Sequence, residues 1–195
     1  ATQDPRMVII AGLAATFAES VSMAAVAYTS SKAYRDYYRS ELEREKREIK
    51  EVPKMEEKEI HNIYYKKGFR GRILDIIVKK ITSSKKMWLS IMMKEELNLT
   101  EDKSSSPVKD AGIVGGSAIV GSVIPLVPFF LFNVGTGIIA SLIFSVVVLF
   151  ITGAVKNRIT IGHPLRGAVE MAIIGMGAAL IGYGIGAILG VALHL

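Results

Sequence analysis

Charged and apolar residues occupy different stretches of this chain, and that segregation limits its fold more than any other feature. Half of the 195 residues are hydrophobic, yet 22% are charged. About 19 of the 24 Lys and Arg fall between Lys32 and Lys103, together with most of the acids. A single soluble core would mix these residue types along every helix. Separate blocks predict a part that lives in lipid and a part that lives in water.

Four stretches are long and apolar enough to cross a bilayer as helices, which takes about 20 residues. They run from Met7 to Tyr28, Ala111 to Phe132, Val134 to Val155 and Gly167 to Leu193. Glu19 is the only charge in the first, and Glu170 stands near the start of the fourth. The first stretch is too long for a secretory leader and lacks a basic start. Lys and Arg resist translocation, so the basic block and the loop from Lys156 to Arg166 are expected in the cytoplasm. That alternation puts residue 1 on the far side, and a further span before Ala1 is expected. The predicted fold class is all-α. It is an integral membrane helical bundle with four visible spans and a cytoplasmic helical metal-binding domain. Its boundaries are 7–31 for the first span, 32–108 for the domain and 109–195 for the other three spans.

Glycines crowd two spans: Gly112, Gly115, Gly116 and Gly121 in one, and Gly175, Gly177, Gly182, Gly184, Gly186 and Gly190 in the other. Small residues three or four apart let helices approach closely in lipid, so tight packing is expected there. Pro125 and Pro128 are expected to kink or end their span. In the charged block, Ser31–Glu51 continues the first helix and Pro53 opens a second that Gly68 ends. Gly71 precedes an apolar third helix, and Ser83 or Ser84 caps a fourth through about Leu97. Residues 98–107 read as a link.

The absence of cysteine excludes disulfides and thiolate metal sites. The net charge of +6 comes with no basic motif or stacking-aromatic pattern, so no nucleic-acid partner is expected. No nucleophile–base pair or nucleotide loop is present, so an enzyme is not expected either. Candidate ligands lie elsewhere. Glu45 and Glu48 are three apart, as are Glu56 and Glu59, so each pair shares a helical face. Leu89, Met92, Met93 and Glu96 follow i, i+3, i+4, i+7, which on an α-helix puts two thioethers and a carboxylate on one side. Carboxylates suit Fe²⁺ and Mn²⁺, and thioether sulfur favours transition metals over Mg²⁺ or Ca²⁺. By spacing alone, the acids also fit solvated faces paired with Arg and Lys, and the methionines fit a core beside Trp88. Within the first span, Glu19 and Met23 stand four apart. An ionisable group there marks an ion or proton path, or else a polar contact with Ser20 or Ser22.

At Gly12-Leu13-Ala14-Ala15 through Ser22-Met23-Ala24-Ala25, and again at Met92-Met93-Lys94-Glu95-Glu96-Leu97, the chain resembles the vacuolar iron transporter family. The likeness includes the acidic helices, Ile63-Tyr64 with Lys67-Gly68, and Pro164-Leu165-Arg166. It implies a five-span, dimeric, proton-coupled exporter of cytosolic Fe²⁺ and Mn²⁺. By that resemblance Glu45, Glu48, Glu56, Glu59, Met92, Met93 and Glu96 are the metal ligands of the cytoplasmic domain, and Met23 lies on the translocation path. The family's first span has no counterpart, since the sequence begins just before the second. Where many members carry Gly-Glu after Ser-Met, this chain has Val26-Ala27, and Glu19 is expected to replace that carboxylate. The expected partners are divalent metal ions as substrate, protons, membrane lipid and a second copy. No prosthetic group is expected, and a prokaryotic cell membrane is preferred over a vacuolar one. The competing reading is a membrane-anchored metal buffer or sensor without transport.

Overall fold

The computed structural model describes residues 4–100, 106–160 and 162–192. Among them seven α-helices follow one another: α1 (Pro5–Glu51), α2 (Pro53–Lys66), α3 (Gly71–Thr82), α4 (Lys85–Ile91), α5 (Pro107–Val123), α6 (Val134–Ile159) and α7 (Pro164–Ala192). Short π-helical and 3₁₀ turns extend α4 and α5 over Met92–Glu96 and Ile124–Phe130. No strand occurs among the described residues. The expected link at 98–107 lies partly outside them. The chain divides into two compact units, one comprising residues 1–23 and 113–195 and the other 24–112.

In the first unit, the apolar stretches of α1, α5 with its 3₁₀ extension, α6 and α7 are each long enough to cross a membrane. Their large side chains, among them Phe17, Val120, Ile139, Ile151 and Ile181, point outward. Water would penalise so much exposed apolar surface, whereas lipid is its natural solvent. The protein is therefore an integral membrane protein. The pair α6 and α7 touches backbone to backbone: a Cβ on Gly153 would sit 2.2 Å from the Gly167 carbonyl oxygen, and Ala168 is fully buried. Pro125 and Pro128 remove two helical donors, and the span tightens to 3₁₀ at Ile124 instead of continuing as α-helix. The Ser141 hydroxyl donates to the Pro125 carbonyl at 2.7 Å.

The expectation of tight packing at the glycines holds for Gly175, which faces Leu149, but not throughout. A Cβ on Gly112, Gly116, Gly121, Gly177, Gly182, Gly184 or Gly186 would meet nothing within 4 Å among the described residues. Gly12 and Gly137 make the close approaches instead, to Leu126 and Phe129.

In the second unit, Ile49, Ile60, Leu74, Val78, Ile81, Trp88 and Met92 form the core. Val52 leaves helical geometry, and Pro53 at the first turn of α2 folds that helix back from the end of α1. At its other end α2 closes with Gly68 at φ 101: Gly68 N–H bonds the Tyr65 carbonyl at 3.0 Å and Phe69 N–H the Tyr64 carbonyl at 3.2 Å. Only glycine takes that left-handed turn without strain. Ser84 caps α4, its hydroxyl accepting from Met87 N–H at 3.4 Å.

Candidate metal site

Three elements of the second unit bring acids together. Glu41, Glu45 and Glu48 lie along one stripe of α1, Glu56 and Glu59 one turn apart on α2, and Glu96 on the π turn. Carboxylate oxygens of Glu45, Glu48 and Glu56 all lie within 4.8 Å of one another. Glu45 is 1% exposed and Glu56 3%. The Oε2 atoms of both are buried without a hydrogen-bond partner among the described residues. Among the described residues one cation reaches the group: Arg44 lies 2.8 Å from Glu41, 3.5 Å from Glu45 and 3.6 Å from Glu48.

A charge without water must be paired, protonated or bound to a metal. Burial and then the Glu48 carboxylate push the Glu45 carboxyl up from its usual range, against the pull of Arg44. Burial, followed by Glu59, Glu45 and Glu48, raises Glu56 to about 7. Glu96 sits at the solvent edge of the cluster, yet it also rises to about 7. Partial loss of hydration is the first cause, then the charges of Glu59, Glu45 and Glu56. Glu95, its neighbour, points away into an ion pair with Lys67 that holds it below the usual carboxylate range.

The methionines are placed differently from the face pattern. The backbone widens at Met92, with Leu97 N–H bonding the Met92 carbonyl at 3.2 Å and Leu99 N–H that of Met93 at 2.8 Å. Met92, Met93 and Glu96 therefore do not follow α-helical spacing. Met92 is fully buried in the core with Ile60 and Leu74, and Met93 is buried too. The structure thus gathers Glu45, Glu48, Glu56, Glu59 and Glu96 electrostatically and buries both thioethers at the turn that carries Glu96.

Sequence reasoning missed two members of this arrangement. Glu41 is buried and ion-paired to Arg44, and the spacing 41, 45, 48 carried that signal. The π turn had no such signal. In the first unit, Glu19 accepts a hydrogen bond from Ser122 on α5 at 3.3 Å. The expected local partner Ser20 instead donates to the Thr16 carbonyl at 2.6 Å. Met23, one turn further along α1, is 45% exposed.

The fold and the cluster define an integral membrane protein of the helical class that carries a crowded, under-neutralised carboxylate group. The chain belongs to the VIT family, whose model matches residues 1–187; this is a family of membrane transporters. It is 32% identical over 179 residues to "Vacuolar iron transporter 2" of Oryza sativa subsp. japonica, covering 91% of this chain and 73% of the relative. It is 30% identical over 178 residues to "Vacuolar iron transporter 1" of Tulipa gesneriana, with 91% and 72% covered. It is 32% identical over 195 residues to "Vacuolar iron transporter" of Plasmodium falciparum, with 95% and 71% covered.

Proposed function

We propose that this chain exports Fe²⁺, and Mn²⁺ by the same route, from the cytoplasm in exchange for protons. The observation that carries the reading is the three-carboxylate group of Glu45, Glu48 and Glu56, with two buried oxygens left without hydrogen-bond partners. Such oxygens suit a dication better than they suit one another. The names of the relatives supply the metal class.

In this reading residues 32–108 are a cytoplasmic domain, residues 7–31 and 109–195 supply the spans, and the membrane is that of a prokaryotic cell. Glu45, Glu48, Glu56, Glu59 and Glu96, with Met92 and Met93, collect the ion. A second copy completes the coordination. The ion then passes to Met23 and Glu19 in the membrane and leaves as protons enter. Deprotonated carboxylates bind metal and protonated ones release it, so a proton gradient drives the exchange.

The test is Fe²⁺ and Mn²⁺ flux into sealed proteoliposomes with an imposed pH gradient. Flux that collapses with the gradient supports exchange, and flux indifferent to it removes the proton step. Metal binding without any flux would establish the buffer or sensor reading instead.

A further inference from the structure

The guanidinium of Arg44 is shared between a carboxylate outside the three-acid group and two inside it. Its Nη2 lies 2.8 Å from Oε2 of Glu41 and 3.5 Å from Oε1 of Glu45, and its Nε lies 3.6 Å from Oε2 of Glu48. The shortest contact is thus with the acid that stands apart from Glu45, Glu48 and Glu56. The side chains also differ in their access to water: Arg44 is 44% exposed, Glu41 12% and Glu45 2%. The cation has solvent to move into, and these two carboxylates do not. While no metal is bound, Arg44 offsets part of the repulsion among the acids.

A dication seated among Glu45, Glu48 and Glu56 reverses that balance. The guanidinium then faces a charge of its own sign, and it competes with the ion for the same carboxylates. It cannot diffuse away, because α1 carries it beside them. It can keep Glu41, one turn back on the same helix, and give up its two longer contacts. Arg44 therefore has two arrangements, one spread over three acids and one resting on Glu41 alone.

We propose that Arg44 is a tethered competitor of the metal, neutralising the metal-free site and loosening its hold on the ion, with Glu41 as the seat that keeps the guanidinium aside once the ion is in place. The proposal rests on the reading of Glu45, Glu48 and Glu56 as metal ligands, and not on the direction or coupling of transport. A guanidinium has no acceptor to offer a metal, so Arg44 acts by charge alone and equally on every dication. A carrier needs such restraint, since a site must bind firmly enough to load and weakly enough to release.

The experiment is equilibrium binding of Mn²⁺ and Cd²⁺ to the full chain in detergent at pH 8, with thermal melts of the same samples. Arg44→Gln is expected to tighten both ions by about tenfold, since a partly exposed charge is screened well below its strength in a dry site. It should also lower the metal-free Tm. Glu41→Gln is expected to weaken both ions, because it returns the guanidinium to Glu45 and Glu48. In the double variant most of that loss should vanish, so the two effects do not add. Lys46→Gln removes an equal charge from the same helix, where Lys46 pairs with Glu43 at 2.6 Å, and should change affinity by less than about twofold. Arg44→Met keeps the packing of the stem and replaces the amide variant should that one fail to fold. Weaker or unchanged binding without Arg44, opposite effects on the two ions, or Arg44 and Glu41 effects that simply add would each overturn this proposal alone. Failure of the parent protein and every variant to bind either ion would overturn the metal reading with it.

Discussion

Glu45 on α1 and Glu56 on α2 bring carboxylate oxygens within 4.8 Å of one another, and each keeps a buried Oε2 without a hydrogen-bond partner among the described residues. Lost hydration and neighbouring carboxylates push Glu56 and Glu96 up to about 7, so the metal-free cluster holds protons where single glutamates would hold none. A dication entering the group must displace them.

Metal affinity is therefore expected to rise with pH. Glu56 and Glu96 titrate at about 7, so affinity should climb from pH 6 to pH 8 and then level off. Calorimetry in buffers of different ionisation enthalpy would count the released protons, with up to two expected near pH 6. Affinity flat across this range would contradict the proton-holding cluster.

Stability without metal should run the other way. Glu56 is pushed up to about 7 in the folded protein from an unfolded value of 4.5, so the folded protein binds the extra proton. Its contribution is complete below about pH 4.5 and lost as pH rises through about 7, a change of up to about 3 kcal/mol. Thermal melts of the metal-free protein should show a lower Tm at pH 8 than at pH 5, and added metal should reverse the trend.

Glu45→Gln removes one of the nearest carboxylates and its buried charge together. The metal-free protein is expected to hold or gain stability, since a neutral amide is cheaper to bury. Metal affinity should fall by on the order of 100-fold, at least the cost known for groups one shell further out. Equilibrium dialysis and a melt on the same sample measure both.

Met92→Leu and Met93→Leu separate packing from ligation. The exchange conserves volume and should cost less than about 1.5 kcal/mol at either site. A thioether that ligates will show itself as lost preference for soft ions such as Cd²⁺ over Mn²⁺. A side chain that only packs will leave metal selectivity unchanged.

Glu19→Gln, in the membrane, is expected to abolish flux in proteoliposomes while leaving metal affinity at the acidic cluster intact. Its hydrogen-bond partner Ser122 can still donate to the amide oxygen, so the α1–α5 contact survives. Undiminished flux would remove Glu19 from the path.

Much of the architecture was legible because it depends on local pattern. Long uncharged runs marked the spans, and the absence of a breaker between Ser31 and Glu51 marked α1 as continuous. Pro53 and Gly68 marked the ends of α2 through their fixed backbone preferences. The pairs Glu45/Glu48 and Glu56/Glu59 were visible as helical faces. The π turn was not, since the same residues fit an α-helix locally and the widening at Met92 follows from its fit into the core. The glycines misled for a related reason: spacing marks a face able to pack closely but not whether a partner covers it.

By itself the sequence determined which segments are helices, which seek lipid and which side of each acidic helix carries carboxylates, because each follows from residue periodicity and polarity. Only the tertiary structure decided that Glu45 and Glu56 lose their water, that Arg44 alone among the cations of the described residues reaches the group, and that Glu96 comes under the charge of Glu59. Those depend on how closely separate helices approach, and the strength of charge between carboxylates rises steeply as that distance shrinks and water is excluded.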